Sequence, residues 1–188
     1  MYTGRISKDK NLDFLIKVYN RVNENNSDIN LIFVGDGPYY QELSKSVNDK
    51  PGIVFTGRLK REKLSNIYAS ADILLFSSTT DTFGMTVLEA QSCGLPALVS
   101  DIGGPQEIVN EGQSGFILSV DTIDPWVKTI EFLLPEIRNN STYYQKLKQQ
   151  SRATVLNSYK WKEVLHDLIL GGQEMSNSEK ENYSMAVR

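Results

Sequence analysis

The 188-residue chain holds a single cysteine, Cys93, and a single histidine, His166. One thiol excludes a disulfide framework and any zinc site built from cysteines. One imidazole excludes a histidine-rich metal site, and only His166 could serve a Ser-His-Asp triad. No apolar run approaches the roughly 18 residues that a membrane span requires, and the first residues do not read as a signal peptide. Charge of one sign is also missing. Twenty basic residues face 23 acidic ones, for a net charge of −3, and a pI near 5.3 argues against a nucleic-acid binder. What is present excludes disorder: 40% of residues are apolar and 10% aromatic. At this length the chain builds one compact domain rather than two full ones. These bounds lead us to expect a soluble, intracellular domain of a reducing compartment.

Short apolar runs alternate with amphipathic stretches. Leu31-Ile32-Phe33-Val34, Ile53-Val54-Phe55, Ile73-Leu74-Leu75-Phe76, Ala97-Leu98-Val99 and Phe116-Ile117-Leu118 read as buried strands. Continuous apolar strands suit a parallel sheet covered on both faces. Between them, Leu12, Leu15, Ile16, Tyr19 and Val22 recur at helical spacing, as do Leu64, Ile67 and Tyr68, and then Val87, Leu88 and Gln91. The alternation predicts an α/β domain with a doubly wound parallel sheet, with right-handed crossovers placing helices on both faces. Gly94-Leu95-Pro96 marks a helix stop. Pro38 and Pro105 sit where first helical turns begin. From Asp124 the strands cease, and residues 124–134, 140–157 and 161–170 read as helices. The polar stretch from Gly171 to Arg188 is expected to be a disordered tail. Met1-Tyr2-Thr3 reads as a strand stub before Gly4, too short to fill a central strand, which suggests a fragment.

Three loops follow strands and carry glycine or basic residues. In an open α/β sheet, ligands bind beyond the carboxyl ends of the strands, so these loops should share one crevice. In the first, Gly4 to Asn11, Arg5 offers a planar fork and Lys10 a point charge to an anion; the alternative is two solvated cations. In the second, Thr79 to Thr86, the N–H groups of a helix start form an anion site that Gly84 leaves open to close approach. Asp81 lies just ahead of that helix and Glu89 about one turn inside, so both reach the same side of the crevice. The alternatives are a helix cap for Asp81 and a solvated position for Glu89. In the third, Ser100 to Pro105, Gly103 and Gly104 form either another backbone cradle or a tight strand-to-helix turn. Gly35-Asp36-Gly37-Pro38 imitates the start of a dinucleotide fingerprint, but Tyr40 occupies the third glycine position. It reads as a turn.

In order along the chain, these residues resemble the C-terminal, donor-binding half of group-1 retaining glycosyltransferases of family 4, with the GT-B fold. The strongest match is Asp81-Thr82-Phe83-Gly84-Met85-Thr86-Val87-Leu88-Glu89-Ala90, followed by Cys93-Gly94-Leu95-Pro96. Gly4-Arg5 with Lys10, Gly35-Asp36-Gly37-Pro38, Phe55-Thr56-Gly57, Tyr68-Ala69-Ser70-Ala71-Asp72, Gly103-Gly104-Pro105, Gly115-Phe116 and Tyr159-Lys160-Trp161-Lys162 supply further landmarks. The resemblance implies a Rossmann-like nucleotide-sugar domain over residues 1–170 and a tail over 171–188. An N-terminal acceptor domain precedes such a half in the family and is not in this sequence. It implies that Arg5 and Lys10 neutralise the donor diphosphate and that Asp81 holds hydroxyls of the transferred sugar. Phe83, Gly84, Met85 and Thr86 would offer backbone amides, Glu89 would accept from the ribose, and the base would lie near Arg58 and Leu59. It implies sugar transfer with retention at the anomeric carbon, from a UDP- or GDP-linked donor, with no cofactor and no bound metal. The absence of an Asp-x-Asp motif from the candidate loops fits that expectation.

The family's first acid is usually Glu, so Asp81, one methylene shorter, puts the identity of the sugar in question. With the acceptor half missing, the isolated chain is expected to bind donor but transfer poorly. The acceptor would be a glycan or lipid, and the location cytoplasmic, with peripheral contact at the inner membrane surface left open by Lys60, Arg61 and Lys63 and by Lys146, Lys148, Arg152, Lys160 and Lys162. No nucleic-acid partner is expected. Cys93 and His166 read as packing or surface residues. Three alternatives stay open: a non-catalytic nucleotide-sugar-binding module, half of a sugar-nucleotide epimerase, and a simple phosphate-binding domain.

Overall fold

A computed structural model of the chain describes residues 1–159. The chain divides into two compact units, Met1–Val155 and Leu156–Arg188, and the first contains every strand found among the described residues. The expected helix over 161–170, His166, Lys160, Lys162, the boundary at residue 170 and the tail from 171 lie outside the described residues.

Five strands form where the apolar runs predict them, and a sixth at the N-terminal stub: β1 Tyr2–Thr3, β2 Leu31–Val34, β3 Ile53–Gly57, β4 Leu74–Phe76, β5 Ala97–Ser100 and β6 Gly115–Leu118. Every pairing is parallel, in two sheets ordered β1-β2-β3 and β4-β5-β6. The sheets meet at β1 and β4. The Met1 nitrogen donates to the Ile73 carbonyl at 2.7 Å, and Leu75 N–H donates to the Met1 carbonyl at 2.7 Å. An aromatic row crosses the same junction. Phe55 stacks on Phe33 at 4.9 Å, Phe33 meets Tyr2 at 5.8 Å, and Tyr2 stacks on Phe76 at 6.2 Å. The stub expected to be too short for a central strand therefore occupies the centre, with only two residues. The lateral order 3-2-1-4-5-6 reverses direction at β1/β4, which is the topological switch point of a doubly wound sheet.

Helices α1 Leu12–Asn23, α2 Tyr40–Ser46, α3 Arg61–Ser70 and α4 Met85–Ser92 connect the strands, and α5 Asp124–Arg138 and α6 Thr142–Ser158 follow them. The alternation fails once. Between β5 and β6 there is only a 3-10 turn, Gly104–Glu107, opened by Pro105. Helix α5 also runs past its expected end at residue 134. Pro135 removes one N–H without stopping the helix, because the following turn is anchored: Arg138 pairs with Asp28 and donates to Asn26 at 3.2 Å. At the other end of α5, Trp126 is fully buried edge-on against Phe14 and donates Nε1–H to the Ser119 carbonyl at 2.9 Å. Buried Gln91 of α4 and Ser151 of α6 both donate to the Ser114 carbonyl, at 3.0 and 2.9 Å, fixing α6 beside the start of β6.

The loops after β1 and β2 nest backbone to backbone. Gly4 N–H donates to Val34, Ile6 N–H to Asp36, and Tyr39 N–H to Ile6, each at 3.0 Å. Gly35 makes this approach feasible. Its φ is +142°, and a Cβ there would lie 1.8 Å from the Gly4 carbonyl oxygen. Tyr39 closes the nest by donating its phenol to Asp13 at 2.8 Å. Burial first, and then the Asp13 carboxylate, push that phenol up to about 12.

Two outcomes follow for stability. Gly35→Ala should destabilise by at least about 2 kcal/mol in chemical denaturation, since strain and overlap combine. Gly57→Ala, with φ +69° but open space around it, should cost only about 1–2 kcal/mol. For Tyr39 the native value lies above the unfolded value of 10.0. Its contribution is therefore complete below pH 10 and is lost as pH rises towards 12. Alkaline unfolding followed by circular dichroism should lose that part of its pH dependence in Tyr39→Phe.

Candidate functional site

A cleft opens beyond the carboxyl ends of β1, β2 and β3, on the β1 side of the switch point. Its volume is about 490 Å³, and Gly4, Arg5, Gly35, Gly37, Arg58, Leu59 and Leu64 are among its walls. Arg5 emerges directly after β1, where the Tyr2 phenol donates to its carbonyl at 2.9 Å. Burial holds that phenol above its ordinary range and so in its donor form. Arg58 emerges directly after β3. Both arginines are exposed, and neither guanidinium has an acidic partner among the described residues. The one carboxylate on the cleft wall, Asp36, already accepts the Gly37 N–H at 2.7 Å. The cleft therefore offers two planar cations and a wall in which Gly4, Gly35 and Gly37 expose backbone, a combination suited to a phosphate ester. The segment Gly35-Asp36-Gly37 belongs to this wall. Sequence reasoning read it as a turn only, because its neighbour Gly4 is distant in the chain.

Lys10 occupies a separate station. Its Nζ lies 2.7 Å from Asp81 Oδ2 and 3.5 Å from Asp9 Oδ2, and its side chain is only 17% exposed. Thr80 Oγ1 approaches both Lys10, at 3.5 Å, and Asp9, at 3.3 Å. The loops after β1 and β4 are thus tied across the switch point by an ion pair between residues 71 positions apart. Arg5 and Lys10 do not line the same cleft. Asp9 is the residue that pattern reading missed; as an exposed acid beside a lysine it carried no sequence signal.

Asp81 does not cap α4. The N-cap is Gly84, with φ +83°, and no side chain caps the first turn. The leading N–H groups of α4, from Met85 and Thr86, therefore have no partner within the helix. Phe83 and Met85 are exposed beside them, at 52% and 59%. The third loop does not form a second cradle. Gly104 N–H is used by the Asp81 carbonyl at 2.9 Å, and a Cβ on Gly104 would lie 2.0 Å from the Thr82 carbonyl oxygen. That loop buttresses the Asp81 turn from behind. Glu89 is exposed on α4, and its Oε2 accepts the Tyr68 phenol of α3 at 3.4 Å. Glu89 is not among the residues that line the cleft of Arg5 and Arg58. Among the described residues, no three His, Cys, Asp or Glu side chains gather into a group that could hold a metal, and no helix is long and apolar enough to cross a membrane.

Comparison with known proteins bears on the family and the fold. The sequence model of the family "Glycosyl transferases group 1" matches residues 1–154. The sulfoquinovosyl transferase SQD2 of Arabidopsis thaliana is 36% identical over 137 residues, covering 71% of this chain and 26% of that protein. A GDP-mannose-dependent alpha-mannosyltransferase of Corynebacterium glutamicum is 33% identical over 140 residues, covering 74% and 32% respectively. The chain thus spans about a third or less of these curated relatives. Among solved structures, the C-terminal domain of a glycosyl transferase group 1 family protein (LpcC) from Francisella tularensis superposes with a TM-score of 0.73 at 19% identity, covering 85% of each chain. Anabaena HepE in complex with UDP superposes with a TM-score of 0.78 at 19% identity, covering 93% of this chain and 48% of that one. At these identities the superpositions show the fold.

The pair across the switch point can be measured in the free protein. A double-mutant cycle with Lys10→Met and Asp81→Asn should give a favourable coupling of about 1 kcal/mol in chemical denaturation, falling with added salt. Additive effects of the two substitutions would mean that the pair does not form.

Proposed function

We propose, from the premise that this chain belongs to the group 1 glycosyl transferases, that its cleft binds the nucleoside-diphosphate end of a sugar donor. The observation that carries this reading is the convergence of Arg5 and Arg58, both without acidic partners among the described residues, on one glycine-walled cleft beyond β1, β2 and β3. Guanidinium groups pair with phosphate oxygens two bonds at a time, and a wall of glycine backbone lets the phosphates come close. Beyond the cleft, the open N–H groups of Met85 and Thr86, beside Phe83 and Gly84, supply further donors at a positive helix end. In this reading Arg58 and Leu59 flank the base, and Glu89, steadied by Tyr68, accepts from the ribose hydroxyls. Asp81 takes hydroxyls of the transferred sugar.

Transfer creates negative charge on the departing diphosphate. Arg5, and Lys10 once it is shared with the donor, stabilise that charge where it develops. These cations and the helix start do the work without a metal, and the configuration at the anomeric carbon is retained. A UDP- or GDP-linked donor is supported by the UDP bound in HepE and by the GDP-mannose dependence in the mannosyltransferase's name. Because the chain spans so little of its relatives, we assign acceptor binding to a further domain, for a glycan or lipid acceptor. The chain alone then binds donor and transfers poorly.

Calorimetry and thermal shift with UDP, GDP, ADP and their sugar conjugates test this reading. One base should be selected, and at 100 times its dissociation constant the ligand should add about 2.7 kcal/mol of stability. Arg5→Ala and Arg58→Ala should each weaken binding by roughly 10- to 100-fold, the loss expected for one charge-assisted contact, with melting unchanged in the absence of ligand. Glu89→Ala should weaken binding about tenfold, again with the fold intact. No response to any nucleotide would overturn the donor assignment. Steady sugar transfer by the chain alone would overturn the need for a further domain.

A further inference from the structure

At the opposite end of the strands from the arginine cleft, a groove of about 560 Å³ opens where β2 and β3 begin. That volume falls in the range of small-molecule sites. Three segments build it. Tyr19, Asn20 and Asn23 reach it from the last turns of α1, Ser27 and Asn30 from the link into β2, and Lys50 and Gly52 from the turn into β3. Backbone bonds hold these segments in place. Leu31 N–H donates to the Gly52 carbonyl at 2.8 Å, Ile53 N–H to the Lys50 carbonyl at 3.0 Å, and Lys50 N–H to the Val47 carbonyl at 2.9 Å. Asn26 closes the end of α1 by donating its side-chain amide to the Val22 carbonyl at 3.1 Å.

The polar groups of this groove are unspent. Among the described residues, the side chains of Asn20, Asn23, Ser27 and Asn30 make no hydrogen bond. Exposed amides by themselves are simply solvated, but Tyr19 is different. It is only 7% exposed, yet its phenol donates to no described residue. Burial alone raises that phenol above its ordinary value, with no hydrogen bond contributing. The oxygen lies over the bare Cα of Gly52, where a Cβ would stand 2.1 Å away. Among the described residues, the wholly enclosed side-chain polar atoms without a partner are Ser7 Oγ and Gln91 Oε1. The Tyr19 oxygen is not one of them, so it keeps an opening into the groove. A buried hydroxyl costs stability unless something bonds to it.

We propose that this groove is a binding site for a neutral saccharide. Its charged lining residues are one acid and one base, Asp49 and Lys50, so it carries no net attraction for an anion. It offers no guanidinium to a phosphate. The Tyr19 ring is buried and leaves only its oxygen at the surface, so a flat base finds no platform to stack on. The polar groups are instead amides and hydroxyls, which donate and accept at once, as sugar hydroxyls do. Ile29 and Pro51 supply the small apolar patch that the C–H face of a sugar ring covers. The site lies at the other ends of the strands from Arg5 and Arg58 and does not rest on the donor reading.

The test is an amide NMR titration of the full 188-residue chain. The probes are glucose, mannose, galactose, N-acetylglucosamine and maltose, each raised to about 100 mM, with inorganic phosphate as the charged control. At least one sugar should shift the backbone amides of Asn30, Lys50 and Gly52 and the side-chain amides of Asn20 and Asn23. The shifts should saturate with a dissociation constant of about 1–10 mM, and phosphate should not displace the sugar. Tyr19→Phe keeps the ring and removes only the unbonded oxygen. It should melt no lower than the parent chain and bind the sugar about 3- to 10-fold more weakly. Asn30→Ala, on the exposed link, should weaken binding by a similar factor and reads the groove without touching the core. Absence of a saturable shift with every sugar overturns the proposal. So do shifts confined to the surroundings of Arg5 and Arg58, displacement of the sugar by phosphate, or unchanged affinity in both variants.

Discussion

Two residues of β1 join the halves of the sheet, and every feature of the cleft hangs on that junction. Tyr2 and Thr3 pair with β2, while Met1 bonds to the residues at the start of β4. The backbone link is short, so side chains reinforce it. The row Phe55–Phe33–Tyr2–Phe76 runs across four strands and passes through the junction. Tyr2 then does something the other rings do not: its phenol reaches past the strand end to the Arg5 carbonyl. One fully buried side chain thus joins the sheet and sets the path of the loop that carries Arg5 and Lys10.

The junction also separates two kinds of cation. Lys10 is already matched by Asp81, with Asp9 at longer range, so an anion arriving at Lys10 must share it with carboxylates. Arg5 and Arg58 carry no such debt in the free protein. Long-range attraction of an anion is therefore exerted first at the arginine cleft, and Lys10 responds only after close contact. This division follows from geometry rather than from charge number, since the chain as a whole is slightly acidic.

The strands were legible because a sheet buried on both faces requires unbroken apolar runs, and five such runs stand in the sequence. Helix ends were legible where Gly and Pro punctuate them, as at Gly94-Leu95-Pro96. Pro135 misled because its effect depends on what anchors the next turn, and the anchor, Asp28, lies 110 residues away. The crossover between β5 and β6 misled because Gly103-Gly104-Pro105 carries the signals of a helix start, while the chain makes only the 3-10 turn Gly104–Glu107 there. The structure sets Asp81 in the loop after β4 and Glu89 on α4, as the sequence reading placed them in the chain. The roles of Gly35 and Gly104 could not be read, because each is set by a carbonyl of a neighbouring loop, Gly4 in one case and Thr82 in the other. A glycine required for close approach looks in sequence like a glycine required for a turn.

The shorter acid at position 81 can be reconciled with a sugar-holding role on the geometry of the ion pair. Asp81 gives Oδ2 to Lys10, and the turn that carries it is fixed from behind by Gly104 N–H on its own carbonyl. With the backbone held and one oxygen committed, the carboxylate plane is set by two independent contacts. A carboxylate accepts at both oxygens, so Oδ1 can receive a sugar hydroxyl while Oδ2 keeps the lysine. A longer Glu would reach further from the strand end, and its extra torsion would have to be fixed by some further contact. Asp therefore trades reach for rigidity, and on the proposed reading the sugar hydroxyl it meets would lie closer to the β4 terminus. On that reading the ion pair of the free protein would be the pre-set half of the site, and the donor would supply the rest.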